Sequence, residues 1–349
     1  MKAKILRFLG GIGVSLLSIL VILLLLELAV RLTTDFKSRP RAKTHLPVSS
    51  TYRLARNPDL VYELLPGSRA RVQGIPIHIN NAGFRDRQFS IQKSSLFRVI
   101  VVGDSITYGW NVSLDQTFHK QLENRLRRSG CEVEVLGMGV VGYNMVQEYH
   151  LIRERALAFK PDLVVLQITP NDFERTVGIR RNRSGRGYSL LLYHDLRIPY
   201  VIGKSDLSTW LMRHSHFFRF TNLRLGALMR KRNPDYDPGH VFLLGEEKSF
   251  RYLSRIHSLL RAAGVPWVAV IFPEARRKAP YPFTGLHHRI HRVLNENGVR
   301  VIDLLEPLNA PNREDIWIER IHPNARGHAL VADILSGFLR PWIRNCPAG

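Results

Sequence analysis

Ser105 stands in Arg98-Val-Ile-Val-Val-Gly-Asp-Ser-Ile-Thr-Tyr-Gly-Trp110, directly after four apolar residues, Val99 to Val102. A run this short, mostly β-branched and closed by a glycine, predicts a strand covered on both faces. A polar turn follows, then Ser113 to Leu126, a helix opened by a capping-type residue. Strand, turn and helix in that order put Ser105 at the carboxyl end of a strand, the rim where open α/β sheets bind ligands. A hydroxyl presented there is a nucleophile candidate. An isolated Gly-Asp-Ser triplet reads equally well as a plain turn, so the rest of the chain must decide. Three further polar groups close apolar runs or open the last helix: Gly139-Val-Val-Gly-Tyr-Asn144, Asn171-Asp172 and Glu319-Arg-Ile-His322. A base, a carboxylate three residues before it, a glycine N–H and a side-chain amide are what acyl transfer needs beside a serine.

The elements that must position these groups alternate. Strands are predicted at Val99–Val102, Glu132–Leu136, Leu163–Ile168, Trp267–Phe272 and Val299–Ile302, with helices at 113–126, 145–160, 246–263, 286–294 and 325–339. That pattern specifies α/β class, a doubly wound three-layer α/β/α domain with a five-stranded parallel sheet. Every polar feature above then falls at one rim. Phe173 to Leu244 interrupts the alternation and is too long for an ordinary connection. Arg175, Arg180, Arg181, Arg183 and Arg186 crowd its first part. Leu207 to Met229 reads as helical, with Trp210, Leu211, Phe217 and Phe218 as apolar contacts. Placed after the Asn171 strand, the insertion is expected to overhang the site as a cap. Its arginines fit a solvated face, anionic lipid headgroups or an acidic polymer.

The chain has 349 residues and 45% hydrophobic content, enough for one large α/β domain with extensions. Its formal charge of +22 invites nucleic acid, an anionic membrane or an acidic polymer as partner. The N-terminus selects among them. Phe8 to Leu26, nineteen residues without a charge, follows Lys2, Lys4 and Arg7. It is long enough to cross a hydrocarbon core of roughly 30 Å. Leu26-Glu-Leu-Ala-Val-Arg31 offers no small-x-small cleavage site, so the run is read as an uncleaved transmembrane helix spanning about residues 8–30. Nucleic acid is thereby disfavoured. The expected organisation is an anchor at 1–31, a linker and small extension at 32–96, and the α/β domain at 97–341 with its cap at about 173–244. Within the extension, Arg69 to Ile79 predicts a hairpin, and Phe84-Arg-Asp86 can dock on the main domain. Cys131 and Cys346 have no metal spacing; two unpaired thiols are expected, the alternative being one disulfide between them.

Gly103-Asp-Ser-Ile-Thr107, Gly142 in its glycine block, Asn171-Asp172 and His322 three residues after an acidic residue, taken in chain order, resemble the SGNH, or GDSL, hydrolase family. The resemblance runs from about residue 97 to 340 and implies the flavodoxin-like fold of that family, a catalytic domain outside the cytoplasm and ester hydrolysis. Ser105 would attack the acyl carbonyl and His322 would carry its proton to the leaving alcohol. The backbone N–H groups of Ser105 and Gly142 and the amide of Asn171 would hold the oxyanion. Glu319 stands where the family carries aspartate. It is expected to orient His322, the alternative being a Ser-His dyad; Asp315 has no argument from spacing. His328 reads as packed or exposed on the last helix, and His287, His288 and His291 lack a matching acidic set, so no metal and no cofactor is expected. An ester-containing small molecule, lipid or envelope polysaccharide is the implied substrate. An O-acyltransferase uses the same triad, and a silent polymer-binding protein would retain the cleft without the chemistry.

Overall fold

A computed structural model describes residues 2–33, 51–57, 59, 60, 62–173, 177–181, 188–192, 211, 215–218, 220, 221, 246–275, 280–310, 313–344, 346 and 347. In chain order come helix α1 (Lys2–Thr33), the antiparallel pairs β1 (Tyr52–Leu54) with β2 (Tyr62–Leu64) and β3 (Arg69–Val72) with β4 (Ile75–His78), and strand β5 (Phe97–Gly103). A single helical turn, α2 (Ser105–Tyr108), precedes α3 (Phe118–Arg128), β6 (Val133–Gly139), α4 (Met145–Glu154) and β7 (Leu163–Ile168). The pair β8 (Val177–Arg181) and β9 (Tyr188–Leu192) follows. The chain then resumes at α5 (Glu246–Ala262), β10 (Trp267–Ile271), α6 (Thr284–Glu296), β11 (Arg300–Asp303), α7 (Leu305–Asn309) and α8 (Ala325–Leu339).

The apolar runs form one sheet in the order β11-β10-β7-β5-β6, with every pairing parallel. Val99 and Val101 enter the core shared with Leu122 and Leu126 of α3 and Val331 and Leu335 of α8. Side chains alternate along a strand, so Ile100 and Val102 serve the opposite face, on which α4 packs. Both faces are covered, as the near-continuous apolar strands require. The strand order reverses between β5 and β7, and that switch point is where this topology opens a crevice beyond the strands' carboxyl ends.

Ser113 caps a short 3-10 turn, Leu114–Gln116, rather than the long helix expected from it. Thr117 is extended (ψ 147°) and breaks the helical path, so α3 begins afresh at Phe118.

The predicted hairpin forms as β3 and β4, and the residues after it dock as expected. Arg85 is buried and donates to the carbonyls of Tyr108, Gly109 and Val112 at 3.1, 2.5 and 2.7 Å. Asp86 accepts from Gly137 N–H at 2.7 Å and meets Lys120 at 2.8 Å. From β2, Tyr62 donates to Val141 O at 2.7 Å, and Tyr143 returns a bond of 2.5 Å to Tyr62 O. The extension thus clamps both the turn after β5 and the loop after β6.

Cys131 and Cys346 are not the unpaired thiols expected; they form a disulfide with Cα atoms 4.2 Å apart. After α8 the chain turns at Arg340–Trp342 and comes back to the end of α3, where Pro347 lies against Gly130. A separation of 215 residues hides such a pairing from the sequence.

Two compact units divide the chain: residues 1–41 with 194–244, and residues 42–193 with 245–349. The described residues of the insertion therefore divide as well, β8 and β9 falling in the second unit and residues 211–221 in the first. In the first unit, Glu27 of α1 accepts from Ser215 Oγ and from the N–H groups of His216 and Phe217 at 2.8, 2.9 and 2.9 Å. Leu211, His216–Phe218, Phe220 and Thr221 are helical, as expected within 207–229. The linker at 34–50, Arg175, Arg183, Arg186, Trp210 and the remainder of the predicted helix lie outside the described residues.

Candidate active site

The turn after β5 is fixed by short-range polar bonds. Asp104 caps α2, its Oδ1 accepting from Ile106 N–H at 3.0 Å. From the neighbouring strand β7, Gln167 Oε1 accepts from Asp104 N–H, Thr107 N–H and the Thr107 hydroxyl at 3.1, 3.2 and 2.9 Å. Gly103 makes this approach possible, because a Cβ there would collide with the Gln167 and Thr107 side chains. Ser105 is left as the first helical residue, 1% exposed.

A second loop, between residues 316 and 324, brings His322 to it. Trp317 pairs with Pro323, Ile318 N–H donates to His322 O at 2.9 Å, and Asn324 N–H donates to Ile316 O at 2.8 Å. Asn324 also caps α8 through the N–H groups of Arg326 and Gly327. On its outer side Arg320 O accepts from Ala275 N–H at 2.7 Å, and the Arg320 guanidinium meets Glu274 at 3.1 Å. This loop holds His322 Nε2 2.8 Å from Ser105 Oγ, and His322 Nδ1 2.5 Å from Glu319 Oε1. With its proton on Nδ1 facing the carboxylate, the imidazole accepts the serine proton at Nε2. The indole of Trp110 lies beside the imidazole, ring centroids 6.1 Å apart. Glu319 differs from a buried triad carboxylate in being 54% exposed.

Asn171 follows β7 across the switch point. Its Oδ1 accepts from the Thr169 hydroxyl, and its Nδ2 donates to Asp104 Oδ2 at 3.2 Å. The same Asp104 oxygen is 3.2 Å from Ser105 Oγ, so amide and hydroxyl converge on one carboxylate. Engagement of the amide oxygen by Thr169 turns the NH2 end toward Asp104. Gly142 lies in the buried loop after β6 with φ of +79°, a left-handed conformation that glycine adopts without strain. Val140 N–H, in the same loop, donates to Gly103 O at 3.2 Å and ties that loop to the end of β5.

Glu148 of α4 is fully buried, with no hydrogen-bond partner among the described residues for either carboxylate oxygen. Burial above all, then the charges of Asp172 and Asp104, push its carboxyl well above the usual range. His328 is also buried, and desolvation with the charges of His322 and Arg85 lowers it to about 3. It is neutral and accepts from Phe118 N–H at 3.1 Å, a packed histidine as expected. Asp315 pairs with Arg326 at 2.5 Å. His287 and His291 share the Asp303 carboxylate at 2.9 and 3.1 Å.

A buried serine, an imidazole and a carboxylate in an unbroken hydrogen-bond chain, with an amide that shares the Asp104 carboxylate with the serine, can perform acyl transfer. The model of the GDSL-like lipase/acylhydrolase family matches residues 101–330. The chain belongs to that family. The match takes in the β5 turn, the β6 loop, the end of β7 and the His322 loop, so every group just described lies inside the family region. Members of this family generally act on ester bonds, and the five-stranded parallel sheet agrees with it. No curated protein matches the chain. Among solved structures, the lipase/acylhydrolase from Enterococcus faecalis is 15% identical, with 72% of this chain and 100% of that one covered and a TM-score of 0.45. The esterase EstA from Pseudoalteromonas sp. is 11% identical over 70% and 98%, with a TM-score of 0.43. The acetyl xylan esterase AlAXEase is 16% identical over 69% and 99%, with a TM-score of 0.42.

Sequence reasoning passed over several residues that support this GDSL site. Gln167 left a signal, since a single polar residue inside the apolar run Leu163–Ile168 must find buried partners. Asp104 and Thr169 flank the recognised positions and were readable only as turn residues. Trp110 and Glu148 left none, because an aromatic after a turn and a glutamate on a helix are ordinary.

Proposed function

We propose that this chain is a membrane-anchored serine esterase that cleaves an ester-linked acyl group. The observation that carries the reading is the unbroken chain Ser105 Oγ, His322 Nε2, His322 Nδ1, Glu319, at 2.8 and 2.5 Å. Ser105 Oγ attacks the acyl carbon while its proton passes to His322 Nε2, and Glu319 stabilises the imidazolium that forms. The N–H groups of Ser105 and Gly142 and the free N–H of the Asn171 amide receive the oxyanion. Collapse expels the alcohol, which takes the proton from His322. A water then repeats the sequence and releases the acid.

The anchor is α1. Its stretch Gly13–Thr33 is 21 residues long with mean hydropathy 2.7, long and apolar enough to cross a membrane. The second unit is assigned to the extracytoplasmic side, where the oxidising conditions suit the Cys131–Cys346 disulfide.

The test is full-length protein in detergent with a short-chain p-nitrophenyl ester and a fluorophosphonate probe, beside Ser105→Ala. Turnover and labelling that both disappear in Ser105→Ala support the mechanism. Labelling that survives in Ser105→Ala, or folded wild type inert to both reagents, overturns it. Turnover that appears only when an acceptor alcohol is supplied would make the protein an acyltransferase.

A further inference from the structure

Glu27 is the only acidic residue in the apolar stretch Gly13–Thr33, and residues 215–217 of the insertion gather around it. Ser215 Oγ donates to Glu27 and accepts from Phe218 N–H at 3.0 Å, while His216 and Phe217 give Glu27 their backbone N–H groups. Arg31, one helical turn on, supplies its Nε at 2.7 Å. A carboxylate on a helix with only 6% of its span buried is otherwise very costly in hydrocarbon, and four donors satisfy it here. Six residues separate Glu27 from the end of α1, which places it about 9 Å inside the end of the span at 1.5 Å per residue. Interfacial helices lie roughly 5–10 Å into the boundary between headgroups and acyl chains, the same depth.

The composition of the insertion fits that depth. From Leu207 to Arg232 the sequence carries Arg213, Arg219, Arg224, Arg230, Lys231 and Arg232 and no acidic residue, interleaved with Trp210, Leu211, Phe217, Phe218 and Phe220. Basic and aromatic residues mixed in one stretch, without carboxylates, are the composition of a surface that binds anionic lipid. Leu211, Phe217, Phe218 and Phe220 are only half-buried within their unit.

We propose that the segment of the insertion around residues 211–221 is a membrane-surface element whose partner is an anionic phospholipid bilayer, and that Glu27 pins it to the anchor helix. Glu27 takes the place of headgroup or water as the acceptor for the first N–H groups of the insertion's helical segment. The element therefore enters the boundary only where the anchor puts it. This inference rests on α1 being a transmembrane anchor and is independent of the hydrolase chemistry.

The experiment uses full-length protein in vesicles of equal phosphatidylcholine and phosphatidylglycerol. An environment-sensitive fluorophore is placed at Phe220→Cys and, as control, at Asp333→Cys on the exposed face of α8. At position 220 the label should be quenched by brominated lipid and shielded from iodide, and at 333 the reverse. Glu27→Ala should raise iodide quenching at 220 several-fold, whereas Glu27→Gln, which keeps a carbonyl acceptor, should raise it less. Circular dichroism of each variant reports that the α/β domain is folded. A chain that floats with the vesicles but shows equal iodide access at 220 and 333 overturns the inference and spares the anchor. A chain that does not float overturns both. Shielding that requires an acidic polysaccharide and not the anionic lipid would assign the basic stretch to a polymer and overturn the proposal as well.

Discussion

Replacing Glu319 by glutamine should slow ester cleavage by little more than an order of magnitude, far less than a buried triad carboxylate would. Glutamine keeps an acceptor oxygen for the Nδ1 proton of His322, so the substitution removes charge and leaves orientation. At the observed 2.5 Å, the attraction between a carboxylate and the imidazolium is about 1.7 kcal/mol in a water-like dielectric. Glu319 is 54% exposed, so the water-like value is the appropriate one, and it corresponds to roughly 17-fold in rate. Removing the charge of a buried triad carboxylate costs about 10⁴-fold. Glu319→Ala, which also frees the ring to rotate, should lose more. Steady-state kcat and KM on a short-chain p-nitrophenyl ester, with Ser105→Ala as the floor, give the comparison. The loss should fall in kcat and shrink as ionic strength rises, since exposed charges are screened. A loss under about twofold would mean a Ser-His dyad, with the glutamate an idle neighbour. A loss above about 10³-fold would mean that Glu319 is desolvated in the substrate complex, which refutes reasoning from its exposure.

Three other variants address the site and its support. Asn171→Ala should lower kcat by about 10²–10³-fold with little change in KM, as the proposed action of the amide on the oxyanion requires; an equal rise in KM would make it a substrate-binding group. Glu148 holds its proton in the folded chain at pH values where the unfolded chain, near 4.5, has lost it, so its contribution is complete below 4.5 and drains away as pH rises toward the folded value. Glu148→Gln should therefore flatten the pH dependence of unfolding as pH rises above 4.5, by up to about 1.4 kcal/mol per unit, and parallel denaturation curves would refute this. Cys131→Ser with Cys346→Ser opens a ring of 215 residues and should cost about 5 kcal/mol on a chain-entropy basis, visible as a lower denaturant midpoint; an unchanged midpoint would show that the bridge contributes nothing to stability.

The alternation of apolar strands and amphipathic helices was legible because period and composition are local, and all five strands lie where Val99–Val102 and its counterparts indicated. Glu319 and His322 were legible for the same reason, being three residues apart. The pairings that support them are not local. Arg85 reaches the turn after Ser105 across more than twenty residues, and its sequence neighbours Phe84 and Asp86 announce only that something docks there. Gln167 could be flagged as a polar intruder in a strand, but its three partners follow from strand register, which the sequence leaves open. The disulfide was misread because the fold, and no feature of spacing, returns Cys346 to Cys131. Glu27 looked like the residue that ends an apolar run, and its partners lie nearly two hundred positions away.

The Cys131–Cys346 bridge also decides what a single proteolytic cut would do. A cut anywhere between the two cysteines, the whole insertion included, would leave two polypeptides joined covalently. One would carry Ser105, and for cuts before residue 319 the other would carry Glu319 and His322. Such a two-chain molecule would migrate as one species until reduced, and a cut in a loop would leave the two parallel strand partnerships of β7, with β5 and with β10, in place. A chain cut once in this interval would therefore persist as a heterodimer made from one gene product, its two halves inseparable under oxidising conditions.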